Sequence, residues 1–193
     1  MIDLAGLWSL SDESGEYRAD MSLPGDGVSA LFAAGLIPDP YWGRNEYDLR
    51  WISERDWVLR RTAVLEDTDL DLVVSMLDCV AEVRMNGIRV LNADSMFRDH
   101  RADVSAAARQ GLNEIEIRFR SPVRTANERL AAQPFPVPYH KGNCPIPNGN
   151  MLRKPQCDFG WDWNIALAPF GVYEGIRLEP SGGGVISGLT ISQ

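Results

Sequence analysis

Two stretches in the middle of the chain alternate apolar and polar residues, and this period of two most constrains the fold. In Ala81–Leu91, alternation runs on both sides of the pair Asn86-Gly87. Asn and Gly tolerate the positive φ angles of a two-residue hairpin turn, so this stretch predicts a β-hairpin. Asn113–Arg120 alternates Ile and Phe with Glu and Arg. That pattern predicts a strand with one buried face and one solvated face.

Other strand signals recur at short intervals. Trp57–Leu65 and Asp71–Leu77 are rich in strand-forming residues, and Gly175–Pro180 reads as a late strand that ends at its proline. Short strands joined by turns of Gly, Asn and Asp predict an all-β fold, an antiparallel β-sandwich.

Helix signals are few. Val28–Ala34 predicts a short helix with Gly35 as its C-cap, and Arg124–Gln133 predicts a second one. Strands and helices do not alternate along the chain, which argues against a parallel α/β fold.

The composition narrows the classes of partner. The chain has 193 residues, 45% of them apolar, and a formal net charge of -8. This length is enough for a sizeable core. An acidic surface repels phosphates, so nucleic acid and anionic membranes are not expected as partners. The N-terminus has Asp3 in place of a basic signal-peptide region, and no stretch approaches transmembrane length, so we expect a cytoplasmic location.

Cysteine and histidine usage gives little support for a metal site. The three cysteines are Cys79, Cys144 and Cys157, an odd number without a Cys-x-x-Cys pair, and the two histidines are far apart in the chain. Neither a disulfide framework nor a metal or cofactor site is expected. Cys79 lies in an apolar run and is predicted to be a buried thiol.

The proline-rich segment Gln133–Gly149 contains five prolines and little periodicity, so it predicts an excursion from the sheets. Near the end of the chain, glycines follow the last strand. We therefore predict a sandwich domain over residues 1–181, and a glycine-rich linker with the start of a further domain over residues 182–193.

The sequence "DFGWDWN", Asp158–Asn164, places Asp162 between Trp161 and Trp163. Aromatic rings stack on the C–H faces of sugars, and a carboxylate accepts charge-assisted hydrogen bonds from hydroxyls. The residues fit a carbohydrate subsite, but two buried indoles beside a solvated turn would fit the pattern as well. In an extended strand Asp162 would point away from both rings, unless Gly160 bends the backbone.

Two basic residues precede this stretch. Arg153 and Lys154 could pair with Asp162 and hold it ionised. A solvated basic pair in front of a proline is an equally good interpretation.

The segment "LRKPQCDFGWDWNIALAPFGVYEGIRLE" resembles the end of the first domain of β-mannosidases in glycoside hydrolase family 2. The matching positions are Arg153, Lys154, Gln156, Phe159–Trp163, Gly171 and Ile176–Leu178. The chain departs from the pattern at Asn164, where the family usually has a small residue followed by proline. Weaker similarities run through Leu4–Leu10, Ser22–Arg61 and the hairpin region, in the family's order.

The resemblance implies a galactose-binding-like jelly roll, followed in the parent enzyme by immunoglobulin-like domains and a (β/α)₈ barrel. It implies that Trp161 and Asp162 contact the terminal mannose of a β-mannoside or oligosaccharide substrate, with Trp163 packing behind them and Arg153 and Gln156 in support. Both catalytic glutamates would lie beyond Gln193, so the chain alone is predicted to be inactive.

Three other interpretations remain open at this point. The chain could be a free-standing carbohydrate-binding module, the equivalent domain of a β-galactosidase or β-glucuronidase, or a structural domain without sugar contact. The acidic residues Glu46, Glu54, Glu128 and Glu174 do not stand in a recognisable catalytic context.

Overall fold

Two antiparallel sheets make up most of the molecule. The computed structural model describes residues 1–139, 142, 144–182 and 189–192. Within those residues the strands, in chain order, are β1 Ile2–Asp3, β2 Gly6–Asp12, β3 Arg18–Leu23, β4 Gly25–Asp26, β5 Trp57–Leu65, β6 Leu70–Asp78, β7 Ala81–Met85, β8 Ile88–Ala93, β9 His100–Asp103, β10 Gly111–Phe119 and β11 Gly171–Pro180.

Helices occupy the connections between strands. In the described part of the chain they are α1 Gly27–Ala33, α2 Asn45–Asp48, α3 Trp51–Glu54 and α4 Pro122–Ala131, with 3₁₀ turns at Gly149–Met151 and Gln156–Phe159. None of these described helices is long and apolar enough to cross a bilayer.

The two sheets face each other across one core. The larger has the order β3-β2-β5-β10-β7-β8, and the smaller has the order β1-β11-β6-β9 with β4 also pairing with β11. Alternate side chains of both sheets point inward, so that Leu59, Ile117, Leu72 and Ile176 are buried together. The antiparallel sandwich predicted from the strand pattern is confirmed.

The predicted strands are found close to their expected bounds. β5 spans the predicted Trp57–Leu65, and the hairpin β7–β8 turns at Asn86 and Gly87 with φ angles of 53° and 82°. One side chain of β10 differs from the simple alternation. Glu116, expected on the wet face, is buried because Arg60 and Arg118 cover it in ion pairs.

Both predicted helices form, each shifted toward the N-terminus by its cap. Asp26 accepts a hydrogen bond from the Ser29 amide at 2.9 Å and starts α1, while Gly35, with φ of 69°, follows its end. Ser121 caps α4 in the same way by accepting from the Arg124 amide at 3.0 Å. Several short elements were not predicted, among them the helices α2 and α3 and the strands β1, β3 and β4.

A second, smaller core lies between the sandwich and the long excursion after α4. Its buried residues are Cys79, Met96, Ala126, Ile146, Leu152, Phe159, Ala166 and Ala168. The thiol of Cys79 is buried, as predicted, and burial raises its pKa to about 11. This core holds the loops that carry the aromatic motif, Trp161–Trp163.

The described part of the proline-rich excursion packs against the same region. The Tyr139 hydroxyl donates to the Ile146 carbonyl at 2.9 Å, and the Ile146 amide donates to the Phe159 carbonyl at 3.3 Å. Residues 140, 141 and 143 lie outside the described residues. So do residues 183–188 and 193, and the predicted linker over 182–193 stays a prediction.

Two glycines of β11 differ in how closely other residues pack against them. A Cβ on Gly171 would lie 2.2 Å from the Gly25 carbonyl oxygen, whereas one on Gly175 would meet nothing within 4 Å. We expect Gly171→Ala to lower the free energy of unfolding by about 1–3 kcal/mol. Gly175→Ala should change it by less than about 0.5 kcal/mol. Urea denaturation measures both, and equal effects would contradict the packing described.

Candidate functional site

The aromatic motif forms a tight turn between the last 3₁₀ turn and β11. Gly160 has φ of 107°, and Trp161 forms an isolated antiparallel bridge with Asn164. The side-chain amide of Asn164 donates to the Cys157 carbonyl at 3.0 Å and closes the turn. The motif is therefore bent at Gly160 rather than extended, and the two indoles and the carboxylate project from one compact turn.

All three side chains of the motif reach the surface. Trp161 is 38% exposed and Trp163 is 74% exposed, and Asp162 is also exposed. The two indoles pack edge to face with ring centroids 5.5 Å apart. Trp163 therefore contacts Trp161 but is the more exposed of the two rings. From the sequence it was expected to pack behind Trp161 and Asp162, and the structure does not show it buried there.

Asp162 lines a surface cavity of about 280 Å³. The segment of α2 and α3 also lines this cavity, with Glu46, Tyr47 and Arg50. Gly160 and Trp161 complete the motif's side of the cavity. The lining combines two aromatic side chains, Tyr47 and Trp161, with charged and amide groups, which is compatible with a small polar ligand.

A buried cation anchors the motif to the sandwich. The ammonium of Lys154 lies 2.6 Å from Asp78 at the end of β6 and 3.2 Å from Asp158 in the 3₁₀ turn. It also donates to the Pro169 carbonyl at 2.5 Å. Lys154 thereby connects the chain before the motif, the chain after it and the small sheet.

Of the two interpretations left open for Arg153 and Lys154, neither a pairing with Asp162 nor a solvated basic pair is found. Lys154 is buried and faces Asp78, while Arg153 lies at the surface, 3.4 Å from Asp94. Among the described residues, Asp162 forms no ion pair. The sequence order of the basic pair suggested a contact with the motif, but the backbone turns them away from it.

The buried lysine has two carboxylates to neutralise it. Burial raises the pKa of Asp78 to about 6, although Lys154 beside it acts in the opposite direction. Burial also opposes the charge of Lys154, but Asp78 and Asp158 outweigh it and raise the pKa of the lysine. The ammonium therefore stays charged inside the protein, where loss of one partner would be costly.

Gln156, predicted to support the site, acts on the backbone. Its side-chain amide donates to the carbonyls of Gly149 and Lys154 at 3.1 Å and 3.2 Å. It thereby ties the two 3₁₀ turns together beneath the motif. Arg153 takes no part in these contacts, since its partner is Asp94.

The residues of α2 and α3 were missed as part of the site. Glu46 accepts a hydrogen bond from the Ala166 amide at 3.0 Å, which attaches this segment to the chain just after the motif. These positions are 120 residues apart in sequence. No local sequence pattern predicts the contact between Glu46 and Ala166. The spacing of four between Glu46 and Arg50 is common on solvated helices and does not indicate a site.

A family model described as "Glycosyl hydrolase 2 galactose-binding domain-like" matches residues 8–174. The chain is 33% identical to a β-mannosidase of Bos taurus over 190 residues, 92% of this chain and 21% of that protein. It is 34% identical to β-mannosidase A of Emericella nidulans over 173 residues, 86% of this chain and 18% of that one.

A solved structure is similar over the same range. The β-D-mannosidase of Dictyoglomus thermophilum matches 93% of this chain and 22% of its own chain, with a TM-score of 0.84 and 28% identity. The chain thus spans about a fifth of the length of the relatives that it matches.

The buried contacts of Lys154 with Asp78 and Asp158 predict how the stability of the domain depends on pH. We expect Lys154→Met to lower the free energy of unfolding by about 3–5 kcal/mol at pH 7.5, because it leaves Asp78 buried without its cation. A raised carboxyl pKa means that stability is highest while the carboxyl is protonated, and falls as pH rises from the unfolded value through the folded one. Without Lys154 the pKa of Asp78 rises further, so the deficit should shrink toward pH 5.

Urea denaturation at both pH values measures this deficit. The matched control is Lys154→Met with Asp78→Asn, which removes the unpaired charge and should recover part of the stability at pH 7.5. A deficit that is the same at both pH values would contradict the assignment of the buried charge.

Proposed function

The chain belongs to the glycosyl hydrolase 2 family of galactose-binding-like domains, and from this premise we propose that it lines the sugar subsite of a β-mannosidase. The rest of that enzyme, including its catalytic barrel, would lie in the remaining four fifths of the polypeptide. The parent enzyme would remove terminal β-D-mannosyl residues with retention of configuration.

The observation that carries this proposal is the exposed carboxylate of Asp162, which lines a cavity together with Trp161 and is followed in the chain by the exposed indole of Trp163. An exposed indole pair costs free energy in water unless something covers it. A pyranose ring covers an indole with its C–H face and offers adjacent hydroxyls to a carboxylate, so one ligand meets both requirements.

In such an enzyme the role of this domain is binding and orientation. Retaining glycosidases use two carboxyl groups about 5–5.5 Å apart, one as nucleophile and one as acid and base. We place both in the barrel. Asp162 would accept hydrogen bonds from hydroxyls of the terminal mannose, and Trp161 would limit the positions that its ring can take. Interactions that hold the sugar in a reactive geometry raise the rate as well as the affinity.

The partner of the domain is then the remainder of its own polypeptide. In the segment before α2, Tyr41 and Trp42 are 74% and 76% exposed, similar to Trp163. Large aromatic side chains exposed together are typical of a surface that another domain covers. This support is independent of Asp162.

We expect Asp162→Ala in the full-length enzyme to lower kcat/KM on p-nitrophenyl β-mannoside by about two orders of magnitude. The reason is the loss of up to two charge-assisted hydrogen bonds, each worth about 1.5–3 kcal/mol. Asp48→Ala, which removes an exposed aspartate of α2 outside the cavity, is the matched control and should leave kcat/KM within twofold. Unchanged turnover in Asp162→Ala would remove Asp162 from the site.

The isolated 193-residue chain should neither hydrolyse the same substrate nor bind free mannose with sub-millimolar affinity. A subsite shared with a second domain loses most of its contacts when that domain is absent, and each lost hydrogen bond weakens binding. Isothermal titration with mannose checks the affinity. A dissociation constant below about 1 mM would favour a free-standing carbohydrate-binding module instead.

A further inference from the structure

Arg50 carries hydrogen-bond donors that the described part of the chain does not satisfy. Its Nε and one terminal nitrogen are buried and have no hydrogen-bond partner among the described residues. Guanidinium nitrogens can only donate, and buried donors in native proteins are nearly always paired. The full-length protein or its substrate should therefore supply a hydrogen-bond acceptor for Arg50.

The side chain is held in place without that acceptor. Its guanidinium carbon lies 4.7 Å from the centre of the Tyr47 ring. On either side in the sequence, Leu49 and Ile52 are 3% and 0% exposed, so the backbone of this segment is fixed by the core. Arg50 is thus a positioned cation rather than a solvated one.

Arg50 shares a cavity with Asp162. The two side chains offer opposite hydrogen-bonding chemistry, since an ionised carboxylate only accepts and a guanidinium only donates. A sugar hydroxyl does both. The volume of about 280 Å³ suits a ligand of the size of one monosaccharide.

We propose that Arg50 is a second substrate-binding residue of this domain, which donates to an oxygen of the same pyranoside whose neighbouring hydroxyl donates to Asp162. This inference rests on the proposed function and extends it to a ligand class. The ligand would be a neutral pyranoside with two adjacent oxygens, one hydrogen-bonded to Asp162 and the other to Arg50. Arg50 lines the same cavity as Trp161 and Asp162, so it would help to determine which hydroxyl pattern fits.

The competing acceptor is a protein group in the rest of the polypeptide. The sugar is favoured because Arg50 lines the cavity beside Asp162, whereas the aromatic side chains that indicate a covered surface, Tyr41 and Trp42, do not line it. Substrates that lack single hydroxyls distinguish a sugar oxygen from a protein group as the acceptor for Arg50.

The test uses the full-length enzyme with p-nitrophenyl β-mannoside and its 2-, 4- and 6-deoxy forms. The variants are Arg50→Met, Arg50→Lys and, as matched control, Arg44→Met. Arg44 lies 4.8 Å from the same Tyr47 ring but is exposed and outside the cavity. Thermal unfolding of each variant confirms that it is folded, and Arg50→Lys retains the charge if Arg50→Met does not fold.

We expect Arg50→Met to lower kcat/KM at least tenfold and Arg44→Met to lower it less than threefold. For one deoxy substrate, the wild-type enzyme should lose at least tenfold, while the Arg50 variant loses less than threefold, because its partner for that oxygen is already gone. Arg50→Lys should lie between the two, since an ammonium keeps the charge but loses the planar donor geometry.

Equal penalties for every deoxy substrate in the wild type and the Arg50 variants would overturn the proposal. So would a fall in thermal stability with unchanged kcat/KM, which would place the acceptor in the protein. Asp162→Ala is measured in parallel. If it is impaired while the Arg50 variants are not, only this inference fails, and if neither is impaired, the proposed function fails as well.

Discussion

A lysine ammonium buried between two aspartates determines how this domain presents its surface motif. Lys154 joins Asp78 at the end of β6 to Asp158 in the last 3₁₀ turn, and its side chain is almost completely buried. Such a pair gives little net stability compared with apolar packing, but it penalises every arrangement in which the partners separate. The position of the turn that carries Asp162 depends on that penalty.

The sandwich and the motif have separate physical origins. Alternating strands bury one large core, and that core would fold much the same with other loops at its end. The turn at Trp161–Asn164 depends instead on the small second core around Phe159, on the Gln156 amide and on the Asn164 side chain. A rigid scaffold with a separately anchored loop is a common way to hold a binding group in a fixed position.

The sequence predicted those features that local patterns determine. The period of two gave the strands, and Asn86-Gly87 gave the hairpin turn, because both depend on near neighbours alone. Trp161 and Asp162 were singled out because indoles beside a carboxylate are unusual, and their role in binding stays a prediction. The roles of Arg153 and Lys154 were misjudged, since burial depends on contacts 76 residues away, such as Asp78. Glu46, Tyr47 and Arg50 were missed for the same reason.

If Asp162 holds the hydroxyls of a terminal sugar, as we propose, a crystal structure of the full-length protein with bound mannose should show the contact. We expect a carboxylate oxygen of Asp162 within about 3 Å of a mannose hydroxyl oxygen, the ordinary length of such a hydrogen bond. The ring of Trp161 should contact the same sugar. A mannose bound in the barrel with Asp162 beyond hydrogen-bond distance, and no water between them, would contradict it.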